Sequence, residues 1–337
     1  MKKSLLVPFM VILMIGQALA DQIPSDYPII LRIIHATSSK RPNYSKHGHP
    51  LEFKKLIERQ THGMVRVEIY PLGQLYNDPE GVVAVSNGTI FAAIVDTAPL
   101  NAWDKGFGIF NLPGLFMDIG HLYRFIKSDK GGKELERRAQ AKGLLVSWWV
   151  AGPVVMFTTD KPITRLEDMR RCKIRTQPTK LMVKAMESLG AGAIAIPVSE
   201  MYTAAQTGLV NGVATLEMSI ALRRLDEVFH YCLENTIYFN QGSSVCSIVQ
   251  LNRMPSRIRS MVIEAWHQSG KTFEKELLNN TIGWSSRELR KRGVNYTRLE
   301  PEKWKRFQNA WNSLLKEQGP EIGRSLYAEA IRTRNED

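Results

Sequence analysis

Twice along this chain, short apolar runs of strand length alternate with stretches of helical period, and that alternation limits the fold more than any other feature. Residues 29–36 read as a buried strand, followed by a helical stretch near 45–60 with Leu51, Phe53, Leu56 and Ile57 on one face. Residues 64–70 alternate as a strand and stop at Pro71. Asp78-Pro79 opens a helix, with Asp78 as its expected cap, that Gly88 ends, and 90–95 return as a buried strand. The pattern then recurs. Residues 173–176 form a short strand, Thr179 caps a helix carrying Leu181, Ala185, Met186 and Leu189, and Gly190 closes it. A strand at 193–198, a helix capped by Ser199 and stopped by Gly208, and a strand at 210–216 complete the second unit. Strand, helix, strand in tandem implies α/β units with a parallel sheet and crossover helices. From Ser256 onward the chain is largely helical, with Trp266, Phe273, Leu277, Trp304, Phe307, Trp311 and Leu314 as packing positions.

The first twenty residues stand apart from this pattern. Lys2 and Lys3 precede an apolar run over 5–15, and Ala18-Leu19-Ala20 supplies small residues at a signal-peptidase site, so cleavage is expected before Asp21. The run is shorter than the ~20 residues a bilayer core requires, and no later stretch is long and apolar enough to span one. The about 315 residues left exceed what one hydrophobic core usually organises, which favours two domains. The net charge of +12 biases the molecule toward anionic solutes or an acidic partner surface. An exported chain does not meet nucleic acid, so no nucleic-acid partner is expected. Cys172, Cys232 and Cys246 are odd in number and lack metal-site spacing. Either they are small buried hydrophobes or Cys232 and Cys246 form one bridge.

In parallel α/β sheets ligands bind beyond the carboxyl ends of strands, often between domains. Arg175 ends the strand Lys173-Ile174-Arg175, directly before a loop at 176–178. Its guanidinium offers a carboxylate a forked pair of donors; the competing role is a structural salt bridge. Catalytic motifs are missing: there is no nucleophile elbow, zinc-protease helix, phosphate loop or dinucleotide fingerprint. His47-Gly48-His49 is a weak metal signal, Glu167-Asp168 sits in a polar turn, and Glu217 with Tyr202 is the only acid–base pairing worth naming. No enzyme activity, cofactor or metal is expected.

From Arg175 to Gly212 the text becomes specific. Lys161-Pro162-Ile163, Leu166-Glu167-Asp168-Met169, Lys173-Ile174-Arg175, Leu189-Gly190-Ala191, the run from Ser199 to Gly208, and Val210-Asn211-Gly212 follow in order. Tyr70-Pro71-Leu72-Gly73-Gln74-Leu75, Asn87-Gly88-Thr89-Ile90 and Leu112-Pro113-Gly114-Leu115-Phe116 extend the match over nearly all of the mature chain. The sequence resembles the solute-binding subunits of tripartite ATP-independent periplasmic (TRAP) transporters, the DctP-like family of C4-dicarboxylate and sialic-acid binders.

The resemblance implies an α/β, two-lobed periplasmic binding protein of type II-like form, with the ligand cleft between lobes and a long C-terminal helical region. The expected division is 28–150 plus 238–280 for one lobe and 151–237 plus 281–330 for the other. Arg175 matches the arginine that pairs with the ligand carboxylate. Thr215 takes the place of another ligand-contacting side chain, and Gln177 and Val198 match pocket-lining positions. Two departures matter: Val154 occupies the place of a second arginine, and Ala214-Thr215-Leu216 replaces a Glu-Asn-Pro run. Losing a cation and an amide implies a monocarboxylate with an apolar or aromatic body, walled by Trp103, Trp149 or Phe239. The implied partners are a small organic acid and the TRAP membrane subunits, in the periplasm. The rivals are a sensor that engages a signalling receptor and, more remotely, a periplasmic enzyme.

Overall fold

The computed structural model describes residues 28–37, 39, 45–197 and 200–335. The leader at 1–20, Val198 and the expected cap Ser199 lie outside the described residues. In chain order the elements are β1 (Ile29–His35), α1 (Gly48–Gln60), β2 (Val65–Tyr70), α2 (Asp78–Ser86), β3 (Ala92–Asp96), α3 (Thr97–Trp103), α4 (Ile119–Lys127) and α5 (Gly132–Gln140). Then come β4 (Leu144–Thr158), β5 (Lys173–Thr176), α6 (Lys180–Glu187), β6 (Gly192–Ala195), α7 (Met201–Gln206), β7 (Gly212–Leu216) and α8 (Glu217–Arg223). The chain continues through β8 (Tyr231–Ser247), α9 (Ile248–Arg253), α10 (Ser256–Lys291), β9 (Asn295–Thr297) and α11 (Pro301–Arg332).

All these strands join one sheet in the order β2-β1-β3-β8-β4-β7-β5-β6, with β9 beside β8. The first α/β unit supplies the parallel strands β2, β1 and β3; the second supplies β7, β5 and β6. Between them run β4 and β8, antiparallel to each other and long enough, at 15 and 17 residues, to belong to both halves. Their pairing slips between Val150 and Gly152 and again between Val154 and Met156. Gly152 has φ +127°, which side-chain-bearing residues rarely adopt, and the slip lets the strands bend there.

Each half has its own core on both sheet faces. Phe53, Phe91 and Trp266 pack on one face of the first half, and Phe107, Phe110 and Phe125 on the other. In the second half Met156, Ile174 and Trp311 pack on one face, and Phe157, Val213 and Phe229 on the other. Two helices bridge the halves. At 36 residues α10 extends about 54 Å; Trp266 and Phe273 enter the first half and Leu289 the second. In α11, Phe307, Trp311 and Leu314 pack on the second half. Past a break at Gly323, close behind Pro320, Leu326 and Ala330 pack on the first. The expected assignment of all of 281–330 to one lobe therefore differs from the packing. The end of this segment is tied down: the Ala330 carbonyl lies 2.7 Å from His121 Nε2, Arg124 Nε donates to the Thr333 carbonyl at 3.0 Å, and Arg334 to that of Leu115 at 2.9 Å.

Two local expectations need correction. The cap of α2 is Asn77, not Asp78: Asn77 Oδ1 accepts the Glu80 amide at 2.9 Å, and the Glu80 carboxylate accepts that of Asn77 at 3.4 Å. This leaves the Asp78 carboxylate free for other work. The three cysteines are unbridged and buried, with Cys232 and Cys246 near opposite ends of β8.

Candidate functional site

Where the two halves meet, over the bend of β4 and β8, lies a cavity of about 1350 Å³. It receives the carboxyl ends of β3, β5 and β7, the places where an α/β sheet presents ligand-binding loops. Met218 from α8 packs against the core of the first half, and Leu181 from α6 contacts the cores of both, so the walls close across the space.

Arg175 is set by β5, whose short apolar pairing with β6 and β7 buries the strand before the chain turns out at Gln177-Pro178. Its side chain is 2% exposed. Nε donates to the Ile196 carbonyl at 2.7 Å, fixing the plane of the guanidinium. Among the described residues its terminal nitrogens have no hydrogen-bond partner and no carboxylate within ion-pair distance. Burial pulls its pKa down from 12.5 to about 10; buried Tyr238 opposes this slightly and Arg223 adds to it. An unpaired buried guanidinium costs free energy, and a carboxylate ligand is the group that relieves it.

Across the cavity, Lys46 Nζ lies 3.0 Å from Asp96 and 3.5 Å from Asp78. Burial works against its charge, but the two carboxylates outweigh this and its pKa is raised. Asp78 is raised by burial, with Asp96 adding and Lys46 opposing. One ammonium between two carboxylates leaves this wall with a surplus negative charge. The remaining surface is mostly apolar. Trp149 packs edge-on to Phe273 with centroids 5.7 Å apart, and Leu216, Met218 and Ile322 continue the wall. A Cβ at Gly242 would overlap the Trp149 ring, so glycine there is what admits the indole. Its Nε1 is buried without a partner.

Of the residues singled out from sequence, Arg175, Gln177, Thr215 and Trp149 line the cavity, and apolar Val154 does too. Trp103 and Phe239 do not. Trp103 lies beneath the Lys142 ammonium, 4.7 Å from its ring centroid, and edge-on to Phe107; Phe239 packs into the core of the first half. Glu217 and Tyr202 do not meet: Tyr202 donates to Glu227 at 3.4 Å, and Glu217 neighbours Tyr296. His47 and His49 diverge, the first 2.9 Å from His35 and the second 2.6 Å from Ser244. Sequence reasoning missed Arg223, Asn240, Phe273 and the Lys46–Asp78–Asp96 group. Asp96 was findable, because it ends β3; Arg223 was hidden in a charged run that reads as a solvated surface.

The family model of bacterial extracellular solute-binding protein, family 7, matches residues 35–321. An uncharacterized protein, YiiZ, of Salmonella typhimurium is 28% identical over 254 residues, 75% of this chain and 76% of that one. The C4-dicarboxylate-binding periplasmic protein DctP of Rhodobacter capsulatus is 31% identical over 205 residues, 60% of each chain. The crystal structure of a TRAP periplasmic solute-binding protein from Shewanella oneidensis, with bound succinate, superposes with a TM-score of 0.83 at 19% identity, covering 91% of this chain and all of that one.

Proposed function

The chain belongs to the bacterial extracellular solute-binding proteins of family 7, the DctP-like subunits of TRAP transporters, and from that premise we propose that its cleft captures a small monocarboxylate by lobe closure for delivery to TRAP membrane subunits in the periplasm. The observation that carries the reading is Arg175, buried at the cavity floor with its terminal nitrogens unpaired among the described residues. A carboxylate that accepts both gains charge-assisted bonds in a desolvated site, each worth about 1.5–3 kcal/mol. The β4–β8 bend and the two bridging helices supply the hinge, and the apolar contacts of Leu181 and Met218 hold the closed form.

The relatives above are named for C4-dicarboxylates and succinate; three features favour a single carboxylate here. Val154 puts an apolar surface where a second cation would extend the anion site. The wall opposite Arg175 carries surplus negative charge from Asp78 and Asp96, which repels a second carboxylate at the far end of a ligand. Between the poles, Trp149, Phe273, Leu216 and Met218 suit an apolar body.

The test is a thermal-shift panel of hexanoate, benzoate, phenylacetate, succinate and galacturonate against the mature protein. A ligand at a hundred times its dissociation constant adds about 2.7 kcal/mol of stability. A shift with one or more of hexanoate, benzoate and phenylacetate is expected. A shift confined to succinate would overturn the monocarboxylate reading, one confined to galacturonate would overturn the apolar body, and no shift with any acid would overturn acid capture.

A further inference from the structure

Several charged side chains line the cleft. Arg175, Arg223 and Lys46 contribute three cations to its wall, and Asp78 and Asp96 two carboxylates. Lys105, Lys180 and Glu321 also border the space, and Arg223, like them, stays exposed to water. Arg223 is the second guanidinium on this wall, in addition to Arg175.

Arg223 ends α8, which turns Met218, Ser219, Leu222 and Arg223 toward the cavity. Its neighbours make the contrast. Arg224 takes the left-handed conformation, φ +58°, and reaches Glu227 at 3.4 Å and Asp226 at 3.9 Å. Arg292 holds Asp226 at 3.1 Å, Glu288 at 2.7 Å and the Ala221 carbonyl at 2.9 Å. The acids of this corner are thus engaged by arginines outside the cleft, and Arg223 has no ion pair among the described residues. Partial desolvation lowers its pKa, and its charge lowers that of Arg175 in turn. Two unpaired guanidinia within each other's field are unfavourable in the empty cleft and favourable once an anion sits with them.

We propose that Arg223 is a second ligand contact, acting with Arg175 on the acidic group of the solute. The inference rests on the acid-capture reading above and assigns it a second residue.

The experiment is calorimetric titration of the mature protein with whichever of hexanoate, benzoate or phenylacetate gives the largest thermal shift, comparing the unsubstituted protein with Arg223→Gln, Arg223→Lys and Arg175→Met. Arg223→Gln is expected to weaken binding about ten-fold or more, with a ligand-free melting temperature equal to or above that of the unsubstituted protein. Arg223→Lys, which keeps the charge without the fork, is expected to recover part of the loss. Binding by Arg223→Gln within about two-fold of the unsubstituted protein, alongside lost binding in Arg175→Met, would overturn this inference and leave acid capture standing. A loss matched by a drop in ligand-free stability in both Arg223 variants would make the residue structural and overturn it too. If the unsubstituted protein binds none of these three acids, this inference falls together with the apolar-monocarboxylate reading, and acid capture itself falls only if succinate and galacturonate fail to bind as well.

Discussion

Exchanging Arg175 for methionine should make the ligand-free protein more stable while abolishing its affinity for acids. Lowering an arginine pKa from 12.5 to about 10 corresponds to about 3 kcal/mol of disfavour for the charged form. The sign is that of a base whose folded pKa is depressed, so the penalty is in force at every pH below about 10 and eases only above it. Methionine keeps a straight, apolar stem of similar reach but gives up the Nε bond to the Ile196 carbonyl, which costs about 1 kcal/mol. The balance is a gain of about 2 kcal/mol in the empty state. In the liganded state two charge-assisted bonds disappear, so affinity should fall by about a hundred-fold or more. The assay is urea unfolding of both proteins, stripped of bound acid by unfolding and refolding, followed by titration with the best ligand of the panel. A ligand-free stability reduced by more than about 1 kcal/mol would mean that Arg175 serves the fold, and unchanged affinity would remove it from the site.

Asp96→Asn removes the surplus charge of the opposite wall and should let succinate bind at least about ten-fold more tightly than it binds the unsubstituted protein, by calorimetry; no gain would refute the charge-rejection argument. Gly242→Ala drives a methyl into the Trp149 indole and should cost about 1–3 kcal/mol, with a changed tryptophan emission as the ring shifts. His49 is fully buried between Ser244 and the Trp266 carbonyl, and burial, aided by His267, lowers its pKa to about 3. An unfolded imidazole takes its proton near 6.5, so the unfolded state binds more protons and stability is lost as pH falls from about 6.5 toward 3. At pH 5 that is about 2 kcal/mol from this residue. His49→Gln should flatten the fall in urea midpoint between pH 7 and 5, and an unchanged slope would show that the ring is not held neutral.

The two α/β units were readable because their strands and helices differ in period, and Arg175 because the end of a parallel strand is a privileged place. The long strands that unite the halves lack such a signature, although the division expected from the resemblance, at 150–151 and 237–238, falls within them. Ser243, Ser244 and Gln241 on β8 are buried yet polar, which breaks the apolar signature that marks an interior strand. Aromatic walls were harder still. Trp148 and Trp149 are adjacent on β4, so the pleat sends them opposite ways: Trp148 packs against Phe107 and Phe110, and Trp149 reaches the cavity. Composition does not distinguish such neighbours; the register of the sheet does. Phe239 fell to the same rule. Lys46, Asp78 and Asp96 come from three separated segments, and their meeting is a property of the folded sheet edge rather than of any one stretch of text.

The tether between residues 330–334 and the segment around 115–124 also sets a schedule for folding. β1, β2 and β3 lie early in the chain, but the strand that pairs with β3 lies beyond the whole second α/β unit, and the helix end that covers Phe110 and Phe125 lies further on still. The first half cannot complete its core without these later segments, and contacts such as that of Arg124 with Thr333 join residues 209 positions apart. Such a polypeptide stays open and extended for longer than one built from consecutive, self-sufficient domains. The first half of the cleft is therefore completed by segments that lie beyond the second half in sequence, which ties the formation of the two halves together.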